Sequence, residues 1–251
     1  MIIALDTYYY DGYSYTVGGI FDSWVADKVS YYVTSKRECI DAEYKPGELY
    51  KRELPCIMQC LSMVNLDNVD TIIVDGFVWL SDDGKTLKAG LGQKLHETLS
   101  FLHGKDITIV GVAKNKYHSE IPHCYEIKHG LESDKPLYVT CSNPNYAEHY
   151  SLLVSRMHGD YRIPTILKAV DTKTRSFKKD DVEEIVEEEP SSPIGLDLSD
   201  LDKWAEENLA TEKDEETPLY DAWLEYVKEN GDKVDINEFM DEVEKRGFLY
   251  K

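Results

Sequence analysis

The sequence predicts an α/β fold, a mixed sheet with helices packed on its faces, and three observations carry that prediction. The chain opens with three stretches rich in Val, Ile, Tyr and Thr, residues 1–10, "SYTVGGIFD" and "KVSYYVTSK", joined by short Gly, Asp and Ser links. Two further apolar runs, "DTIIVDGFVWL" and "DITIVGVAKN", have the continuous character of strands buried on both faces. Between and after these runs the apolar residues recur at helical spacing. The order is three strands, helix, strand, helix, strand, helices, which places helices over a sheet.

The first three strands, with their short links, form an antiparallel meander. A turn at Pro46-Gly47 comes next, and then a helical pattern over 49–66, carried by Leu49, Cys56, Ile57, Cys60, Leu61 and Val64. Pro55 lies inside that pattern, so the helix either starts there or bends there. The run over 70–80 is read as one strand, broken only at Asp75-Gly76. A second helix fits 90–102, and "PLYVTCS" is a last strand. Helical patterns over 146–157 and 164–170 close the body.

Charge separates this body from the C-terminal third of the chain. Residues 1–175 hold 19 Lys+Arg and 23 Asp+Glu, a net of 19 − 23 = -4; residues 176–251 hold 9 and 25, a net of 9 − 25 = -16. A near-neutral body can carry a basic groove, whereas the tail repels nucleic acid. The expected organisation is a domain over 1–177, an acidic linker over 178–196 that opens with "KKDDVEEIVEEEPSSP", and an acidic helical module over 197–251. In that module, 198–209, 219–229 and 236–246 each show a narrow apolar stripe, with Trp204, Trp223 and Phe239 at helical spacing. Ser199 and Thr217 are cap candidates, and Pro218 suits a first helical turn. Such a module suits a protein partner or an autoinhibitory contact.

Several function classes are excluded by pattern. No run approaches the roughly 18–20 apolar residues of a membrane span, and Asp6 interrupts the apolar start without a basic segment before it, so no signal peptide is read. Five scattered cysteines, Cys39, Cys56, Cys60, Cys124 and Cys141, do not make a disulfide framework, and a reducing, cytoplasmic setting is expected. Cys56 and Cys60 read as packing residues. Phosphate-binding loops, dinucleotide glycine motifs and the serine-hydrolase elbow are absent. His96, His103, His118, His123, His129 and His158 form no ligand spacing and read as surface or satisfied core.

The carboxylates are the informative residues. Asp6 interrupts the first strand and Asp75 ends the apolar part of a later one, while Glu53 begins the intervening helix. A buried carboxylate needs a partner. Strand-end caps or salt bridges would supply one. Convergence of the three on a hard, oxygen-preferring Mg2+ would supply another, and that arrangement suits phosphodiester cleavage. Lys114, just past the end of "VGVA", lies beside Asp75 if those two strands are parallel. There it could hold a phosphate.

Together, "ALDTYY", "YKPGELYKRELP", "IIVDGF" and "VGVAKN" resemble the endonuclease V family in order and approximate spacing, over about residues 1–175. The resemblance implies a ribonuclease H-like fold and a carboxylate centre served by Mg2+, with Mn2+ as a substitute. It implies an endonuclease cutting deaminated, inosine-containing DNA or RNA near the lesion. Asp6, Glu53 and Asp75 match the family's metal-binding carboxylates and Lys114 its strand-end lysine. Tyr44, with Pro46 and Gly47, matches the wedge that enters the duplex. Inserting such a wedge costs a few kcal/mol of unstacking, less at a mispaired base.

The chain also departs from the pattern. After Val-Asp-Gly the family carries a His-containing stretch leading to His-Pro-Arg, whereas this chain has "FVWLSDDGKTLKAG". Late in the fold a Ser-x-Gly-His type segment is replaced by "CSNPNYAEHY", with Asn145 where His is expected and Glu148 and His149 nearby. Asn145 and His149 are therefore added as candidate site residues. The rival expectation is a non-catalytic nucleic-acid or protein-binding relative with an incomplete site.

Overall fold

The computed structural model describes residues 1–38, 49–131 and 134–176. The Tyr44, Pro46 and Gly47 turn, the linker over 178–196 and the acidic module over 197–251 lie outside the described residues. Nine strands are described: β1 Ile2–Tyr10, β2 Tyr13–Phe21, β3 Tyr31–Glu38, β4 Thr71–Asp75, β5 Trp79–Leu80, β6 Lys88–Ala89, β7 Thr108–Ala113, β8 Tyr125–Ile127 and β9 Leu137–Cys141. Four α-helices accompany them: α1 Leu49–Leu61, α2 Leu91–His103, α3 Ala147–Ser155 and α4 Thr165–Ser176.

Seven strands make one mixed sheet in the order β3-β2-β1-β4-β7-β9-β8. The opening meander is antiparallel, as expected, while β1, β4 and β7 run parallel to one another and β9 runs antiparallel to β7. The parallel trio is built from "IIAL", "TIIV" and "TIVGV", whose side chains are almost all buried, because helices cover both faces of a parallel sheet. Two consecutive tyrosines show which helix covers which face, since strand side chains alternate. The Tyr9 hydroxyl donates to the Arg52 carbonyl of α1 at 3.4 Å, and the Arg175 guanidinium of α4 stands 5.3 Å from the Tyr8 ring. On the α4 face the core gathers Ala4, Val17, Phe21, Ile73, Val110 and Val112 beneath Val154, Ile166 and Val170.

Three expectations need correction. Of the two alternatives at Pro55, the helix does not start there: α1 runs Leu49–Leu61 with Pro55 inside it, and so ends short of 66. Proline contributes no N–H to the ladder there, and the buried Leu54, Ile57, Cys60 and Leu61 outweigh that loss through packing. The single strand over 70–80 is two elements. β4 ends at Asp75, Gly76 turns the chain at φ +126°, and Trp79–Leu80 pairs instead with Lys88–Ala89 in a separate two-stranded ribbon. The turn lies directly on β7: a Cβ on Gly111 would fall 2.6 Å from the Gly76 carbonyl oxygen and 2.8 Å from the Val78 nitrogen. The Val78 N–H donates to Thr140 Oγ1 at 2.9 Å, which holds the turn against the sheet. The last helix is longer than expected, running to Ser176 rather than ending near 170.

The cysteines behave as packing residues. Cys56, Cys60 and Cys141 are buried free thiols, and burial pushes the Cys60 thiol up to about 12. Among the described residues, no helix is long and apolar enough to cross a membrane.

Candidate active site

Register brings the candidate residues together. β1 and β4 pair in parallel through Leu5 and Val74, so the next residues, Asp6 and Asp75, stand at the same level. β4 stops there, whereas β1 continues four residues beyond Asp6 to Tyr10. Asp75 in turn pairs with Val112 of β7, and two residues later Lys114 leaves the sheet. Its Nζ lies 2.7 Å from Asp75 Oδ2, so parallel strands put the lysine beside the aspartate. Glu53 comes from α1, whose neighbouring turn is fixed by Arg52 stacked 3.6 Å from the Tyr9 ring.

The electrostatics show that these groups share one environment. The Glu53 carboxyl is pushed up to about 8, first by burial and then by the charges of Asp75 and Asp6, with Arg52 pulling the other way. Asp6 is also raised, by burial, then Asp75, and further by Asp171; a hydrogen bond from Thr174 and the charge of Lys114 oppose this. For Lys114, burial alone would lower the pKa, but the bond to Asp75 and the charges of Asp75, Asp171 and Asp6 outweigh it. The ammonium is held above its ordinary value.

Asp75 differs from the sequence expectation in one respect. Its apolar run predicts a buried strand carboxylate, and the structure exposes it, with 41% of its side chain accessible. Ending β4 at the sheet margin, and the turn at Gly76, put it at the surface. Lys114 supplies the partner that its position requires.

Sequence reasoning misses Asp171. This residue sits on α4 with only 12% of its side chain exposed, bonded to Lys168 Nζ at 2.7 Å and Arg175 Nε at 3.0 Å. Burial would raise its pKa, but the bonds from Lys168 and Arg175 hold the carboxyl below the usual range. Its charge reaches both Asp6 and Lys114. The signal available is a lone acid in an otherwise basic helix, "LKAVDTKTR", which one-dimensional spacing does not connect to Asp6.

Asn145 and His149 are not brought to the carboxylates. β9 runs antiparallel to β7, so Cys141 pairs with Val110 and the chain emerges at the opposite end of the sheet, where the Ser142 N–H donates to the Ile109 carbonyl. Asn145 lies in a 3-10 turn, Pro144–Tyr146, and both it and His149 are exposed, His149 against the edge of Tyr150. The altered stretch after Asp75 forms the β5–β6 ribbon. Its loop closes on Asp83, which accepts from Ser81, Lys85 and Thr86 and is thereby held well below the usual carboxylate range.

The donor set suits a hard divalent cation. All donors are carboxylate oxygens, and Glu53, raised first by burial and then by the charges of Asp75 and Asp6, is a carboxyl that a bound cation would favour in its charged form. Yet among the described residues no three His, Cys, Asp or Glu side chains already stand as a metal-binding cluster. The three carboxyls share an electrostatic neighbourhood without forming such a cluster. Lys114 engages one Asp75 oxygen.

No family model matches the chain, and no curated protein sequence matches it. Solved structures do. The chain resembles Ciona intestinalis endonuclease V crystallised with a 24mer DNA containing an inosine followed by a ribo-adenosine, at TM-score 0.54 and 16% identity, over 71% of this chain and 85% of that one. It also resembles an Asp-to-Asn variant of that enzyme in complex with a 23mer DNA of the same kind, at TM-score 0.52 and 16% identity, over 70% and 83% of the two chains. At this identity the likeness shows the fold: the mixed sheet with flanking helices is that of the endonuclease V structures.

Proposed function

We propose that this chain is a divalent-metal-dependent endonuclease of the endonuclease V kind, cutting a phosphodiester bond in inosine-containing DNA or RNA. One observation carries the reading. Asp6, Glu53 and Asp75 come from three separate elements, yet the charge of Asp75 bears on both Asp6 and Glu53 at one end of the sheet, and Lys114 bonds Asp75 there. A merely structural set of acids would be paired off locally, as Asp171 is by its own helix. The shared fold and the inosine-containing DNA in those structures support the choice of substrate.

In this reading Asp6, Glu53 and Asp75 hold Mg2+, with Mn2+ as substitute, and Asp171 stands behind Asp6. Bound there, the cation would supply Lewis acidity toward the phosphate and lower the pKa of water. Lys114 offers its ammonium to a phosphate oxygen in exchange for Asp75. Glu53 retains a proton on its carboxyl at neutral pH until a cation compensates the site. Tyr44, on the Pro46-Gly47 turn, would wedge into the strand at the altered base.

A second reading, a nucleic-acid-binding relative without catalysis, draws on the 2.7 Å Lys114–Asp75 pair, which occupies a candidate ligand oxygen. One experiment separates the two. The full chain is incubated with inosine-containing and plain DNA and RNA, single- and double-stranded, with Mg2+, Mn2+ or EDTA. Cation-dependent scission confined to the inosine substrates is expected. Binding without scission under every condition would leave only the second reading.

A further inference from the structure

We infer that Arg162 is a positioning residue that fixes the backbone of Lys114 and so sets the Lys114–Asp75 geometry. Lys114 needs such a brace. β7 ends at Ala113, whose partner in β9 is Tyr138, and the chain then runs out to β8, on the far side of β9, before it comes back to β7 as β9 from Leu137. The β7–β9 ladder therefore stops one residue short of Lys114. The Arg162 guanidinium spans the gap: Nη2 donates to the Lys114 carbonyl and also to the Pro136 carbonyl at 2.7 Å, and Nε donates to Pro136 at 3.3 Å. One side chain thereby ties the outgoing end of β7 to the incoming start of β9, at the end of the sheet where Asp6 and Asp75 lie.

Arg162 is itself held from behind. It sits between α3 and α4, and the residue before it is clamped by a buried imidazole. His129 Nδ1 lies 2.6 Å from the Tyr161 carbonyl oxygen and Nε2 lies 2.8 Å from that of Met157. The Leu131 N–H donates to the Asp160 carbonyl at 2.9 Å. This close approach depends on glycine: Gly130 has φ +72°, and a Cβ there would fall 2.2 Å from the Asp160 oxygen. A planar fork with five donors can serve two carbonyls at once in a fixed geometry, which a lysine ammonium on a flexible stem does poorly. The same connection leads into α4, the helix that carries Asp171.

The inference rests on the proposed endonuclease function only for its catalytic consequence, and the test keeps the two apart. Full-length Arg162→Gln, Arg162→Lys and a control at the exposed Arg156, Arg156→Gln, are treated with an amine-acylating reagent and labelling is read by mass spectrometry. Lys105, whose Nζ bonds the carbonyls of Leu66, Asp67 and Val69, is the internal reference. In Arg162→Gln the Lys114 labelling rate should rise about tenfold, the factor of one lost charge-assisted hydrogen bond, with Lys105 unchanged. Arg162→Lys should fall between, and Arg156→Gln should match the parent. In cleavage assays kcat should drop about 10- to 100-fold while substrate Kd stays put, the pattern of a misplaced group rather than a lost contact. Lys114 labelling equal to the parent in a folded Arg162→Gln, or equal rises at Lys105 and Lys114, would overturn the inference. If Arg162→Gln does not fold, Arg162→Lys decides by the same ratio. A parent chain that cuts nothing refutes the endonuclease reading, and the labelling ratio still judges Arg162.

Discussion

The two ends of the seven-stranded sheet are built from similar material and gather different residues. At one end, the parallel strands β1, β4 and β7 release Asp6, Asp75 and Lys114 side by side, and α1 adds Glu53. At the other end, β9 delivers Asn145 and His149 to an exposed turn and the start of α3. Both sets are polar residues within or just beyond a strand or in a helix, and both look like site residues in one dimension. Strand direction separates them. Parallel neighbours send their C-terminal ends to the same side, so residues far apart in sequence meet there, whereas an antiparallel neighbour sends its C-terminal end away.

That contrast is sharpest under mutation. Asp75→Asn should reduce cleavage by at least about 100-fold, since it removes a charge from the proposed metal site. Asn145→Ala and His149→Ala should leave the rate within about twofold, as surface changes remote from the site do. A loss of activity on Asn145→Ala comparable to that on Asp75→Asn would break the comparison.

The site end also depends on a close backbone approach. Gly111→Ala would drive a Cβ into the Gly76–Val78 turn that positions Asp75. A cost of about 1–3 kcal/mol is expected from this overpacking, read as a fall of several degrees in Tm. At Gly104, with φ +59° and open space around its Cβ position, Ala meets only backbone strain, and about 1 kcal/mol is expected. Equal losses at the two positions would argue that the turn yields without cost.

Charge makes the site end pH-sensitive. Glu53 rises from 4.5 to about 8 in the folded chain, so between those values the folded state holds a proton that the unfolded state has released. Stability therefore falls as pH rises through that window. Mg2+ should raise Tm, and by more near pH 8 than near pH 6, where it must displace the proton. Glu53→Gln should flatten the pH slope and shrink the Mg2+ effect. A Tm that ignores both pH and Mg2+ would show that the carboxyls are not coupled in solution.

The smallest expected effect concerns the acidic tail. Truncation after Phe177 removes a net charge of -16, since Ser176 and Phe177 are uncharged. Nucleic-acid affinity should rise by a few-fold at about 0.01 M salt and hardly at about 0.1 M, as the Debye length shortens from about 30 Å to about 10 Å. Equal affinity of both chains across the salt series would remove the inhibitory role and leave partner docking.

The local pattern of the chain is enough to place most of the large elements, because apolar period and turn residues act over a few positions. The meander, the two buried runs and the cysteine packing come from it. Asp6, Glu53, Asp75 and Lys114 are legible because each interrupts or ends an apolar pattern, where an acid or a lysine has no packing reason to be. Only the tertiary structure decided the rest. The end of β4 at Asp75 depends on Gly76 folding back over Gly111, a contact between the turn after β4 and a residue of β7. Asp171 joins the carboxylates because α4 crosses the face that Asp6 points to, and Arg162 reaches Lys114 because the sheet closes the intervening distance. Asn145 and His149 drop out because the direction of β9 is set by its pairing with β7, and strand direction leaves no mark in the local composition of a strand.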